Sequence, residues 1–168
     1  LSMQAQGWPA NYKGVMLQGF YWDSYQASRW SNLEAQADDL APYFNLVWIP
    51  QSANCGSGNS MGYDDLYWFS NYNSSFGNEA QLRSMIKTFK SKGIGTIADV
   101  VINHRNTLTS WTDFPVETYK GVTYQMYSTD ICHNDDGGKT YNWANGQSPK
   151  ISLSNKYDSG DGWDGMRD

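Results

Sequence analysis

The first hundred positions alternate between short apolar runs and stripes at helical spacing. Gly14 to Tyr21 (GVMLQGFY) is a brief apolar, β-prone run. Further on, Leu33, Ala37, Leu40 and Phe44 recur at the intervals that place side chains on one face of a helix. Ser31, with Glu34 three positions later, predicts a capping box at that helix's start. Asn45 to Ile49 (NLVWI) then predicts a buried strand stopped by Pro50. A long loop rich in Ser, Gly, Asn and Tyr follows. Asn78 with Gln81 predicts a second cap, and Leu82, Met85, Ile86 and Phe89 form the stripe of a second helix. Lys90 and Lys92 fall in its last turn, with Gly93 just past its end. Ile94 to Ile102 (IGTIADVVI), apolar but for Gly95, Thr96 and Asp99, predicts the third strand.

The order is therefore β-α-β-α-β. Strands that are apolar almost throughout predict a parallel sheet covered on both faces, with right-handed crossovers. From about His104 the periodicity fades, and small, polar and Tyr residues dominate through Asp168. That stretch predicts an irregular, loop-rich subdomain inserted after the third strand. The whole reads as α/β: the β1-α1-β2-α2-β3 opening of a (β/α)₈ barrel, which typically needs ~250 residues. A doubly wound sheet fits less well, because no Gly-rich phosphate loop follows the first strand. On this arithmetic the 168 residues look truncated.

Composition narrows the function. Twelve basic side chains against seventeen acidic ones give a formal charge of −5, which argues against nucleic acid. No stretch approaches the ~20 apolar residues of a membrane span. The first residues lack the charged start and apolar block of a signal peptide, so any export signal is expected to have gone already. Cys55 and Cys132, 77 positions apart, exclude a disulfide-dense scaffold and are expected to be free thiols. The unusual quantity is the aromatic content: 8 Trp, 12 Tyr and 6 Phe, 15% of the chain. Flat rings with polar edges suit sugars, whose faces are apolar and whose rims carry hydroxyls. The plainer alternative is a Tyr/Trp-rich core. Asn73-Ser74-Ser75 is a glycosylation sequon of the kind that occurs often by chance.

In parallel barrels, sites form where strands end. The residues leaving the three strands are Tyr21, Trp22 and Asp23, then Gln51 and the loop with Gly62, Tyr63, Asp64 and Asp65, then Asn103, His104 and Arg105. The string Asp99-Val100-Val101-Ile102-Asn103-His104 resembles the first sequence signature of the alpha-amylase family, glycoside hydrolase family 13. LQGFYWD (17–23), LVWIP (46–50), GYDDLYWF (62–69) and 76–104 are similar, in order, to that family's first strand, second strand, second-strand loop, and second helix with third strand. The tail DSGDGWDGMRD (158–168) resembles the calcium-binding end of its small domain B. The resemblance implies residues 1–103 as the first three β/α units and 104–168 as an incomplete domain B.

The resemblance also implies roles. Tyr63 matches the ring that stacks on the sugar beside the scissile bond, and His104 the histidine that hydrogen-bonds the same sugar. Asp99 matches an in-strand carboxylate, read as a structural orienter. Calcium is implied as cofactor, with side-chain oxygens from Asn103, Asp158 and Asp168 and the backbone carbonyl of Asp161. The turn holding Asp135 and Asp136 resembles an additional calcium site. The tail's spacing is not that of an EF-hand. The parent protein would be a retaining, endo-acting α-1,4-glucan (starch) hydrolase, extracellular, and partnered by starch or a related α-glucan. In that family the catalytic carboxylates follow later strands, so this chain is expected to carry none and to be inactive alone. It is expected to be stable only against the remainder of the parent chain or by self-association. Two other classes remain open: a carbohydrate-binding module, and a complete small α/β enzyme built on Asp99, His104 and a nearby acid.

Overall fold

The computed structural model describes residues 12–102, 104–109 and 113–127. Strand β1 (Met16–Gln18) leads to helices α1 (Trp30–Ala35) and α2 (Ala37–Leu40), then β2 (Leu46–Trp48), α3 (Glu79–Ser91) and β3 (Gly95–Ile97). The three strands form one parallel sheet in the order β1-β2-β3. Leu17 lies opposite Val47, and Val47 opposite Thr96. The β-α-β-α-β order and the parallel pairing follow the expectation.

Helices α1 and α3 pack together against the sheet, and the core sits between these layers. Trp30, Val47, Met85 and Phe89 are wholly buried there, with Leu33, Phe76, Leu82 and Ile94 nearly so. Helix α3 shows why its residues are helical. Asn78 Oδ1 accepts from the Gln81 amide while the Gln81 side chain accepts from the Asn78 amide. Leu82, Met85 and Phe89 form its buried face, whereas Ile86 stays exposed. Gly93, at φ 78°, turns the chain out of the helix, a conformation that only glycine adopts without a steric penalty.

Four expectations are corrected. The capping box at Ser31 does not form: α1 begins at Trp30, with Arg29, two positions before Ser31, at the cap and no side-chain cap bond. The Trp30 amide is instead taken by the Phe76 carbonyl at 2.9 Å, so tertiary docking sets where this helix starts. Glu34 accepts from the Ser84 and Thr88 hydroxyls of α3, at 2.8 and 2.7 Å. The single helix from 31 to 44 is in fact two, broken at Gln36 (φ −90°, ψ 1°).

The strands are also shorter than their apolar runs. In particular, Ile94–Ile102 pairs only over β3. Its partner β2 ends at Trp48, Pro50 has no N–H to offer, and the Ile49 amide makes the last bond, to the Ile97 carbonyl at 3.0 Å. Beyond it Val100 and Ile102 are 68% and 69% exposed. Finally, the region after His104 is not wholly irregular. β4 (Glu117–Tyr119) and β5 (Val122–Tyr124) pair as an antiparallel hairpin. Lys120 and Gly121, at φ 49° and 78°, close it in the doubly left-handed turn favoured by two-residue hairpins.

Candidate functional site

The site forms where the three strands end. Tyr63 sits in the long loop after β2, entered through Gly62 at φ 106°, where a Cβ would collide with Gln51. Its hydroxyl donates to Asp99 Oδ2 at 3.1 Å, two residues past the end of β3. His104 Nε2 lies 2.8 Å from the Tyr63 carbonyl. A carbonyl only accepts, so Nε2 carries the proton and Nδ1 is the nitrogen left for a ligand. The Trp22 and Tyr63 rings are parallel within 5°, with centroids 6.3 Å apart. That spacing exceeds face-to-face contact, so the two rings are parallel neighbours and not a tight stack. Trp22 is 69% exposed.

The turn that presents Trp22 is tightly made. Asp23 holds φ 67°, unusual for a residue with a Cβ. The Ser24 hydroxyl accepts from the Tyr21 amide at 3.2 Å, and the Ser24 amide donates to the Tyr21 carbonyl at 3.1 Å. The Tyr25 hydroxyl donates to Asp23 Oδ1 at 3.0 Å. The electrostatics of Tyr63 follow from its surroundings. Burial, then the charge of Asp99 and the bond to it, push the phenol up to about 12. It therefore remains a donor throughout the physiological range and anchors Asp99 rather than exchanging a proton with it.

Behind this surface lies a buried polar layer. Glu117 and Arg105, 1% and 3% exposed, form an ion pair at 2.8 Å. Burial raises the Glu117 carboxyl, but the Trp68 and Phe69 amides, the Ser70 hydroxyl and Arg105 outweigh it and leave the net shift downward. Asp65 is fully buried, and among the described residues neither of its carboxylate oxygens has a hydrogen-bond partner. Burial pushes it up to about 7, partly offset by its own backbone amide, the Trp68 indole and the charge of Arg105, which lie near the carboxylate without meeting hydrogen-bond geometry.

Of the expected site residues, Tyr63, His104 and Asp99 converge, although Asp99 lies beyond the strand rather than within it. The Tyr63 ring lies parallel to that of Trp22. The expected calcium donors Asn103, Asp135, Asp158, Asp161 and Asp168 all lie outside the described residues, as does Cys132. Among the described residues no group of three or more His, Cys, Asp or Glu could hold a metal ion. Cys55 is a half-buried free thiol, pushed up to about 12 chiefly by burial. No helix among the described residues is long and apolar enough to cross a membrane. Sequence reasoning named Trp22 and Arg105 only as strand-exit residues and missed Glu117. An exposed aromatic directly after a strand was the available signal for Trp22; Glu117 had none.

A model of the alpha-amylase catalytic domain matches residues 47–167, and the chain belongs to that family. The family's architecture is of the TIM-barrel type, and the three-stranded parallel sheet is consistent with a part of it. Alpha-amylase 3, chloroplastic, of Arabidopsis thaliana is 36% identical over 93 residues, covering 54% of this chain and 10% of that relative. Probable alpha-amylase 2 of the same plant is 33% identical over 92 residues, covering 54% and 22%. Glucan 1,4-alpha-maltohexaosidase of Bacillus sp. (strain 707) is 31% identical over 102 residues, covering 55% and 20%. The matched stretch thus spans between a tenth and about a fifth of these relatives.

Proposed function

We propose that this chain is the substrate-binding opening portion of a retaining, endo-acting α-1,4-glucan hydrolase, with starch or a related α-glucan as its ligand. The observation that carries the reading is the meeting of Trp22, Tyr63 and His104 at the C-terminal ends of three parallel strands. The exposed Trp22 ring and the half-buried Tyr63 ring suit the apolar faces of pyranoses, and the held imidazole leaves Nδ1 to meet a hydroxyl. Residues 1–103 are read as the first three β/α units of the barrel, and 104–168 as its domain B. Retaining glycosidases need two carboxyl groups about 5 Å apart; in this reading later strands supply them. The residues described here therefore hold and orient a sugar, and none of them moves a proton on the reacting bond.

Calcium is proposed with it, held by side-chain oxygens of Asn103, Asp158 and Asp168 and the Asp161 carbonyl, with Asp135 at a second ion. Support for it is the donor chemistry, since hard oxygen donors are what calcium takes. It would tie the inserted region to the exit of β3. Export is also proposed. The relatives' names include a chloroplastic and a cytoplasmic alpha-amylase, so the family spans compartments.

Titration with maltoheptaose, followed by Trp fluorescence, tests the reading. Saturable binding is expected, weakened about tenfold by Tyr63→Ala, the equivalent of about 1.4 kcal/mol of stacking. Wild-type affinity in that variant would refute the site. No reducing ends should appear from soluble starch with the 168-residue chain. Their release, abolished by His104→Ala, would favour the complete small α/β enzyme instead.

A further inference from the structure

We infer that Glu117 is a positioning residue of the sugar site: its carboxylate ties hairpin β4–β5 to the loop presenting Tyr63, and glucan affinity depends on that tie. The inference rests on the reading of the Tyr63 surface as a glucan site. Neither segment that builds the surface is regular structure. Tyr63 lies in the loop between β2 and α3, and Asp99 and His104 follow the end of a three-residue strand. Such segments hold a geometry only through bonds between them.

Those bonds form a chain of supports. The Asn106 amide donates to the Asp65 carbonyl at 2.8 Å, and Arg105 Nε to the Leu66 carbonyl at 2.8 Å. Glu117 closes the chain. Its Oε1 accepts from the Trp68 amide and from Arg105 Nη2, each at 2.8 Å. Its Oε2 accepts from the Phe69 amide at 3.0 Å, the Ser70 amide at 2.9 Å and the Ser70 hydroxyl at 2.8 Å. Four of the five donors thus come from three consecutive loop residues, and only one from the cation.

A carboxylate placed merely to neutralise a buried guanidinium would need only Arg105. This one instead receives three successive backbone N–H groups, a concave arrangement that holds an anion and, in return, fixes the loop. Arg105 immediately follows His104 and also donates to the Pro115 carbonyl at 2.9 Å, so the same pair ties the imidazole's segment to the hairpin. Phe69 adds an apolar contact, meeting the Tyr119 and Tyr124 rings edge-on at 6.1 and 5.1 Å. Leu66 and Trp68 are three and five positions from Tyr63, so release of this end of the loop reaches the ring in one short span.

The test is Glu117→Gln, which keeps the shape but turns an amide donor toward N–H donors and removes the charge from Arg105. The maltoheptaose Kd of the full chain is measured well below its melting temperature, with near-UV circular dichroism as a check on folding. Phe89→Leu, in the core at the last turn of α3, is the control for lost stability alone. At least a fivefold rise in Kd for Glu117→Gln, with Phe89→Leu at the wild-type value, supports the tie. If Tyr63→Ala weakens binding while Glu117→Gln stays within twofold of wild type, the inference fails and the site reading stands. If Tyr63→Ala itself has no effect, the site reading fails and takes the inference with it. Should Glu117→Gln not fold, Ser70→Ala decides. It removes one donor of five, a twofold rise in Kd is expected, and an unchanged Kd overturns the tie.

Discussion

At the scale of single residues, Tyr63 and Asp65 illustrate two uses of burial. Tyr63 combines a ring for stacking with a hydroxyl that stays protonated and anchors Asp99. Tyr63→Phe keeps the ring and loses only the anchor, so maltoheptaose affinity should fall two- to threefold, against about tenfold for Tyr63→Ala. Equal losses in the two variants would show that the hydroxyl, not the face, does the binding. Asp65 is buried without a hydrogen-bond partner for its carboxylate among the described residues, and is pushed up to about 7. An unfolded aspartate titrates near ~4, so the folded state holds this proton more tightly. Its contribution is fully present below about 4, declines as pH rises, and is gone above about 7. Urea midpoints should therefore fall between pH 4.5 and 7.5, and Asp65→Asn should flatten the decline. Glu117, shifted downward, acts in the opposite sense only at lower pH, where its protonation destabilises the fold. An unaltered slope in Asp65→Asn would refute the assignment.

At the scale of elements, two residues that look alike in sequence behave differently. Asn78 is a true cap, bonded reciprocally with Gln81, and Asn78→Ala should cost about 1 kcal/mol in urea unfolding. Ser31, which has the same pattern with Glu34, lies inside α1 and caps nothing. Ser31→Ala should be neutral or slightly stabilising, since alanine is the better helix former. A loss comparable to that of Asn78→Ala would restore the capping box. The contact between α1 and α3 explains the difference. Trp30 is buried against Phe76 with ring centroids 5.4 Å apart, and Glu34 reaches across to α3 instead of back to its own first turn.

At the scale of the whole molecule, β1 and β3 are the edges of the described sheet, and apolar side chains near them are open to solvent. Val15, Met16, Val100 and Ile102 are all among the exposed large hydrophobic residues. Unpaired edges and exposed apolar surface invite association. The 168-residue chain on its own should therefore elute above the size of its 19.0 kDa monomer, as light scattering coupled to size exclusion would show. A sharp two-state monomer would mean that the sheet is self-sufficient and would count against the barrel reading. Calcium should raise the melting temperature, since a ligand of the folded state adds about 2.7 kcal/mol at a hundredfold excess over Kd. The rise should shrink in Asn103→Ala, and identical curves with and without chelator would remove calcium from the account.

The features legible in the sequence are those whose energetics lie within a few residues. Helix α3 shows its cap, its stripe and its terminal glycine within 16 positions, Asn78 to Gly93. The three apolar runs announce parallel strands, whose ends mark a set of residues that includes Tyr63 and His104; the resemblance to the alpha-amylase family singles out these two. Only the tertiary structure decided where those runs stop pairing. A strand extends as far as its neighbour offers partners, and β2 offers three residues. It also decided that the Phe76 carbonyl rather than Ser31 begins α1, and that Trp22 lies beside Tyr63. Glu117 is the clearest case. In sequence it is one acid in a strand, but its loop donors lie 47 to 49 positions away, and nothing local distinguishes it from a solvated glutamate. Its role arises because folding removes it from water and returns five hydrogen bonds from distant parts of the chain.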